Sequence, residues 1–202
     1  MSTEFRHDRG LAKRVSKIHG VNPVFLIEKI SRERILDSFY WKRDCFGLNT
    51  ATLLDRAVAL QHIGGYDELQ RPTPFICLGL KMLQLQPAPE IITYLLHQRD
   101  FKYLTCLAAF YIRLTLDSAG VYRTLEPLYA DYRKIRYKKG STMVLSHIDE
   151  FIDELLTSER SCDMILPRMV GRLYLEDQEL LEPRKSEIDS DLESDESESG
   201  SD

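Results

Sequence analysis

The side chains best suited to acid–base chemistry in this sequence are four carboxylates within six residues. They are Asp149, Glu150, Asp153 and Glu154. Paired carboxylates can act as general acid and base when their surroundings separate the two pKa values. Helical spacing places these four opposite an apolar stripe, so water should solvate them. We therefore predict a charged helix face that is exposed to solvent. The functional alternative is that this face binds a basic segment of a partner protein.

A second set of side chains combines positive charge with aromatic rings, which is the chemistry of nucleic-acid contact. The basic members are Arg133, Lys134, Arg136, Lys138 and Lys139, and the interleaved tyrosines are Tyr122, Tyr129, Tyr132 and Tyr137. Tyrosines at helical spacing more often pack half-buried with the hydroxyl at the rim. An ordinary surface or protein contact is therefore the favoured interpretation, and RNA binding is the alternative.

A third set is aromatic and contains the single tryptophan of the chain. It comprises Tyr40, Trp41 and Phe46. Core packing is the default expectation for such residues. The alternative is an anchor for a partner protein, because Trp and Tyr dominate the binding energy of many interfaces.

Other catalytic or metal-binding patterns are missing from the sequence. The five histidines do not have the spacing of metal ligands (His7, His19, His62, His97 and His147). The sequence also contains no nucleophile elbow, dinucleotide fingerprint or phosphate-binding loop. The Gly64-Gly65 pair is interpreted as the end of a helix that starts near Thr50. We predict that the protein is not an enzyme and uses no cofactor or metal.

The cysteines indicate a reducing compartment. They are far apart and form no CxxC pair, and Cys77 lies within the apolar run Phe75-Ile76-Cys77-Leu78 (Cys45, Cys77, Cys106 and Cys162). Buried free thiols are expected, with disulfides or a zinc site as the alternatives. The basic N-terminal twenty residues lack the apolar core of a signal peptide. An intracellular protein is predicted.

Charge divides the chain into three parts. From Glu182 onward there are nine acidic and two basic residues, whereas the whole chain has 32 acidic and 27 basic residues. The globular part is therefore almost neutral, and the tail is strongly acidic. We predict a mobile arm over residues 1–18, a helical domain over 19–181 and a disordered acidic Ser/Asp/Glu tail over 182–202.

The elements that position these side chains are predicted to be helices. Asn22-Pro23, Thr73-Pro74 and Pro89 each open one. An apolar stripe at i, i+3, i+4, i+7 and i+8 predicts a helix from about His147 to Thr157. The stripe consists of Ile148, Phe151, Ile152, Leu155 and Leu156. Ser146 and Asp149 are the predicted capping pair of this helix.

Two further stretches are apolar almost all round, residues 74–86 and 101–116, and should be central helices. Pro127 should kink or break the helical stretch that contains it. The predicted fold is all-α, a compact multi-helix globular domain. A short hairpin over residues 137–146, turning at Lys139-Gly140, is the one β element that the sequence leaves open.

Seven strings in order along the domain resemble the pre-mRNA-splicing factor 38 family. They begin with IHGVNP (18–23), YWK with CFGL (40–48) and PTPF with LKMLQ (72–84). They continue with DFKYL (100–104), LEPLY with DYRK (125–134), DEFIDELL (149–156) and SER with ILPR (158–168). Many animal members of the family end in an Arg/Ser-rich tail, whereas this chain ends in acidic residues.

The resemblance implies a nuclear component of the precatalytic spliceosome that joins with the tri-snRNP. It implies a non-catalytic protein-docking scaffold required for spliceosome activation. The implied partners are a zinc-finger splicing protein, a microfibrillar-associated family protein and the large central scaffold protein of the spliceosome. Indirect or weak contact with small nuclear RNA is left open, and direct binding of small nuclear RNA through the basic and aromatic set is the alternative function. The family supplies no catalytic residues.

Overall fold

The computed structural model describes residues 16–184. Contacts divide the chain into two units, residues 1–169 and residues 170–202. Most of the predicted arm and acidic tail lies outside the described residues, so those two predictions stand as predictions.

The first unit contains both helices and strands. The α-helices are α1 (Lys29–Asp37), α2 (Thr50–Val58), α3 (Pro74–Leu85), α4 (Pro89–Leu96), α5 (Lys102–Thr115), α6 (Ser118–Leu125) and α7 (Ile148–Thr157). The strands are β1 (Ile63–Asp67), β2 (Lys134–Gly140), β3 (Thr142–His147), β4 (Arg160–Ser161) and β5 (Met164–Ile165). The second unit contains α8 (Arg172–Asp177), which begins after Gly171.

The all-α prediction is wrong, because the described residues also form two small sheets. The larger sheet has the strand order β1-β2-β3, with β1 parallel to β2 and β2 antiparallel to β3. The smaller sheet pairs β4 with β5. The β2–β3 hairpin is the one that the sequence left open, and its turn lies at Gly140-Ser141. Strand β2 pairs with β3 and with β1, which is distant in sequence, and helical periodicity does not reveal such pairing.

The interpretation of Gly64-Gly65 as a helix end is also wrong. Helix α2 ends at Val58, and both glycines lie inside β1. A Cβ atom at Gly64 would collide with the carbonyl of Lys138, and one at Gly65 with the carbonyl of Cys162. The glycines are needed because two neighbouring backbones approach this strand closely.

Helices α3 and α5 form the centre of the core, as predicted. Their side chains are almost completely buried, and the rings of Phe75 and Phe110 lie 5.6 Å apart. The apolar stripe of α7 is buried against this pair, with the ring of Phe151 6.3 Å from that of Phe75. Area removed from water along these faces supplies the main stabilisation of the fold.

Helix boundaries follow the proline signals. Asn22 accepts a hydrogen bond from the N–H of Val24 and opens a 3₁₀ turn, Pro23–Leu26. Helix α6 ends at Leu125, and a 3₁₀ turn containing Pro127 follows it. The predicted capping pair Ser146–Asp149 is wrong by one residue, because His147 precedes the helix and Glu150 Oε2 accepts from its N–H over 3.1 Å.

All four cysteines are free and buried, as predicted. Burial raises the pKa of Cys45 and of Cys162 to about 12. Such thiols are protonated at neutral pH and are poor nucleophiles and metal ligands. Over residues 16–184, no helix is both long enough and apolar enough to cross a membrane.

Candidate partner-binding surfaces

Two of the four α7 carboxylates, Glu150 and Asp153, are exposed as predicted. Glu150 accepts hydrogen bonds from the Ser146 hydroxyl over 2.6 Å and from the His147 N–H. The Ser146 bond is the main cause that lowers the pKa of Glu150. Asp153 accepts a hydrogen bond from the Tyr129 hydroxyl over 3.0 Å. These two side chains present negative charge to solvent while their own contacts fix their orientation.

The other two carboxylates are half-buried, which the sequence did not predict. Glu154 accepts a hydrogen bond from the Tyr137 hydroxyl over 2.7 Å and lies 3.8 Å from the ammonium group of Lys139. The N–H of Asp149 bonds the carbonyl of Asp131, and its Oδ1 is buried without a hydrogen bond in the described chain. The face is therefore narrower than predicted, because the hairpin and the 3₁₀ turn cover part of it.

The basic cluster is divided by the strand into residues with different roles. Arg133 is used internally: its guanidinium donates to both carboxylate oxygens of Asp131 and to the carbonyls of Gln98 (2.7 Å) and Arg99 (2.6 Å). Hydrogen bonding to Asp131 raises its pKa. This side chain joins the end of α4 to the hairpin, so it is a structural residue.

The remaining bases alternate between the two faces of β2. Ile135 and Tyr137 are buried, and Lys139 follows them on that face, where its ammonium group lies 4.5 Å from the Tyr137 ring centroid. Since successive side chains of a strand point to opposite faces, Lys134, Arg136 and Lys138 lie on the outer face. Three of the five predicted bases thus remain together on one surface.

The aromatic patch combines a core residue with an exposed one. Trp41 is only 3% exposed and lies beneath the Lys81 ammonium group, 5.6 Å from its ring centroid. Tyr40 is half-buried, and burial raises the pKa of its hydroxyl. Phe46 is 70% exposed, and its carbonyl accepts a 2.9 Å hydrogen bond from Lys81. The default of core packing holds for Trp41, whereas Phe46 is available as an anchor.

A cleft of about 880 Å³ was missed by the sequence analysis. It lies between α1, the segment after β1 and the outer face of the hairpin. Its walls include the exposed apolar side chains Ile30, Phe39 and Met143, together with His62 and Lys138. Exposed apolar residues in a hydrophilic helix such as α1 were the available signal, but nothing in the sequence places α1 beside the hairpin.

Metal chemistry has no visible support in the described part of the chain. Between residues 16 and 184, no group of three or more His, Cys, Asp or Glu side chains is arranged to hold a metal ion. The described carboxylates, bases and aromatic rings instead form three surface features on one scaffold: the α7 face, the outer hairpin face and the Phe46 region.

Comparison with known families identifies the fold. The model of the PRP38 family matches residues 16–179. This chain belongs to the PRP38 family. The family resemblance read from the seven sequence strings is thereby confirmed.

Several splicing factors are close in sequence. Pre-mRNA-splicing factor 38 of Schizosaccharomyces pombe is 55% identical over 168 residues, which is 83% of this chain and 80% of that protein. Pre-mRNA-splicing factor 38A is 50% identical over 182 residues in both Danio rerio and Homo sapiens. Those alignments include 89% of this chain but only 58% of each 38A protein. The chain therefore spans little more than half the length of these relatives.

A solved structure has the same fold. It is a chain in the crystal structure of the Snu23–Prp38–MFAP1(217-258) complex of Chaetomium thermophilum, with a TM-score of 0.84 and 44% sequence identity. The match covers 92% of this chain and 100% of that chain. Its mixed helix-and-sheet architecture is therefore shared with a protein crystallised in a multiprotein assembly.

Proposed function

We propose that this PRP38-family protein is a non-catalytic docking scaffold for pre-mRNA splicing in the nucleus. The observation that carries the proposal is its likeness, at 44% identity over 92% of the chain, to a chain crystallised in the Snu23–Prp38–MFAP1(217-258) complex. Its partners are then counterparts of Snu23 and MFAP1. The large central scaffold protein of the spliceosome is a further partner, and the step served is spliceosome activation.

The geometry of α7 supports docking more than catalysis. Glu150, Asp153 and Glu154 each accept a hydrogen bond from a neighbouring hydroxyl, and these bonds hold the carboxylates in fixed positions. Fixed, partly solvated charges favour recognition, because little side-chain entropy is lost when a basic partner binds. Asp149 and Glu154 support the face from beneath, and Glu150 and Asp153 would make the contacts.

Phe46 is the second proposed docking residue. Phe46 directly follows a π-helix, Trp41–Cys45. Trp41 and Cys45 of this π-helix are buried in the core. Aromatic residues, Phe among them, are enriched at the centre of protein interfaces. Tyr40 and Trp41 therefore position the surface, and Phe46 would enter a pocket of the partner.

RNA binding is a second candidate function, supported by Lys134, Arg136 and Lys138 on the outer hairpin face. Phosphate contacts by these three side chains would weaken steeply with salt, since binding releases counterions. The candidate is weaker than the sequence indicated, because Arg133 and Lys139 already have internal carboxylate partners.

The test is a pull-down from nuclear extract with the full-length chain as bait, with and without nuclease. The scaffold proposal predicts that splicing proteins remain bound after nuclease treatment. Loss of all of them with nuclease would make RNA the bridge and would overturn the proposal.

A double variant locates the surface. Asp153→Lys reverses an exposed charge, and Glu150→Gln neutralises the second carboxylate while keeping an acceptor for the His147 N–H. The matched control is Asp55→Lys with Glu68→Gln, which makes the same charge change at two exposed acidic residues elsewhere. Loss of one partner only in the first variant would support the α7 face. Equal binding by both variants would exclude it.

A further inference from the structure

Strand β3 is an edge strand within the described chain. It pairs with β2 on one side, and the sheet order β1-β2-β3 gives it no strand on the other. The backbone N–H and C=O groups that face this open side can pair with a strand of another chain. What the edge offers therefore depends on which residues point outward.

The register identifies those residues. Ile148 N–H donates to the Arg133 carbonyl over 3.1 Å, so this pair continues the ladder as a hydrogen-bonded pair. Such pairs alternate in antiparallel strands, so Thr142, Val144 and Ser146 bond to β2. Met143 and Leu145 then direct their N–H and C=O groups outward. The N–H of His147 also points outward, and there Glu150 accepts its bond.

The edge has none of the usual protection against pairing. Natural edge strands commonly carry lysine, proline or a bulge that blocks a second strand. Residues 142–145 read Thr-Met-Val-Leu, without charge or proline, and they pair with β2 in unbroken register. Leu145 is 62% exposed, and Met143 and Val144 are also exposed. Exposed apolar side chains on an open edge mark a surface that a partner covers.

Basic side chains lie on β2, the strand next to this edge. Lys138 lies opposite Met143 and Arg136 opposite Leu145, so both bases share the outer face with those apolar side chains. Lys134 continues the row. His62 lies beside it, and its pKa is lowered first by burial and then by the charges of Lys138 and Arg136. Lys134, Arg136 and Lys138 thus form a row of bases on the outer face, on the strand next to the open edge.

We propose that the β3 edge binds an extended acidic segment of a partner protein by strand addition. The backbone of Met143 and Leu145 would supply the ladder bonds, and acidic side chains at alternate positions would meet Lys138, Arg136 and Lys134. A nucleic acid would satisfy the positive charge but has no peptide groups to continue the ladder. The proposal does not depend on which proteins dock on α7 or at Phe46.

The test uses the full-length chain and a fluorescent peptide with the core Glu-Val-Glu-Val-Glu. Three comparison probes are the same peptide with Lys in place of Glu, the same peptide with alternate backbone nitrogens methylated, and oligouridine RNA. We expect the acidic peptide to bind with a Kd below about 1 mM and both altered peptides to bind at least about tenfold more weakly. Amide NMR shifts should centre on Met143 and Leu145.

Variants of the protein separate backbone pairing from charge. Leu145→Pro removes an outward N–H, whereas the matched Val144→Thr variant changes a neighbouring exposed side chain and keeps every N–H. Arg136→Glu reverses the charge. We expect Leu145→Pro and Arg136→Glu each to weaken the acidic peptide at least about tenfold, and Val144→Thr to leave it unchanged.

Three results would overturn the proposal. They are an acidic peptide that does not bind at about 1 mM, a methylated peptide that binds as well as the parent, and oligouridine that binds more tightly and displaces the peptide. The methylated peptide tests strand pairing on the unaltered protein, so the result stands even if Leu145→Pro fails to fold.

Discussion

The hydroxyl of Tyr137 donates a hydrogen bond to Oε1 of Glu154 over 2.7 Å, which joins β2 of the sheet to α7. The same hydroxyl accepts a 3.0 Å hydrogen bond from the N–H of Cys162. Desolvation is the main cause that raises the pKa of Tyr137, so the group stays a donor at neutral pH. One side chain thus connects two of the surfaces that we propose for binding, the α7 face and the hairpin.

Tyr137→Phe should lower the free energy of unfolding by about 1–3 kcal/mol, because the Cys162 N–H and the Glu154 carboxylate both lose a partner in a buried site. Urea denaturation measures the change. Tyr132→Phe is the matched control, since Tyr132 is 68% exposed, and its stability should be unchanged. Equal stability of the two variants would show that the two hydrogen bonds of the Tyr137 hydroxyl contribute nothing to the free energy of unfolding.

Arg133→Gln should also destabilise the fold by about 1–3 kcal/mol, since the carbonyls of Gln98 and Arg99 and the carboxylate of Asp131 lose their donor. Arg136→Gln should change stability by less than about 0.5 kcal/mol, because its side chain is exposed. Thermal or urea unfolding of both variants checks the division of the basic cluster. A stable Arg133→Gln variant would return that residue to the candidate RNA surface.

The aromatic patch should separate in the same way. Trp41→Ala should cost about 3–5 kcal/mol, since it empties a buried site under Lys81. Phe46→Ala should leave the unfolding free energy within about 0.5 kcal/mol and should weaken a partner protein. Calorimetry and binding measured on the same two proteins decide the matter. If Phe46→Ala retains every partner, Phe46 is not an anchor.

His62 should make the protein less stable as the solution becomes acidic. Its folded-state pKa lies below the ordinary value of 6.5, so the unfolded chain binds the proton first. The contribution of His62 to the free energy of unfolding is therefore fully present above pH 6.5. This contribution is lost as the pH drops from 6.5 through the folded-state pKa. The loss should be smaller in His62→Gln, measured by urea unfolding across this window. An identical pH dependence in both proteins would contradict the assignment.

Helices α3, α4, α5 and α7 could be predicted from sequence because each carries its own local signal. The α7 stripe and the prolines at Pro74 and Pro89 are local patterns, and burial follows from them. The sheet could not be predicted in this way. Gly64 and Gly65 stand in β1 because the backbones of β2 and of Cys162 approach them, and those residues are distant in sequence.

The candidate surfaces were predicted only in part for a related reason. Spacing placed Glu150 and Asp153 correctly on an exposed face, since that depends on α7 alone. It did not show that the Tyr137 hydroxyl covers Glu154, because that contact depends on sheet packing. The bases of β2 were considered as one cluster, whereas a strand sends alternate side chains to opposite faces. The periodicity within one helix or strand predicts which of its residues share a face. It does not predict which other element packs against that face.

The most direct test of the scaffold account is reconstitution from purified proteins. The full-length chain would be mixed with recombinant Snu23 and the MFAP1(217-258) segment of Chaetomium thermophilum, treated with nuclease and separated by size-exclusion chromatography. The account predicts a single three-protein peak that persists after nuclease. Separate elution of the three proteins, or a complex that nuclease dissolves, would contradict the claim that this chain binds its partners through protein surfaces.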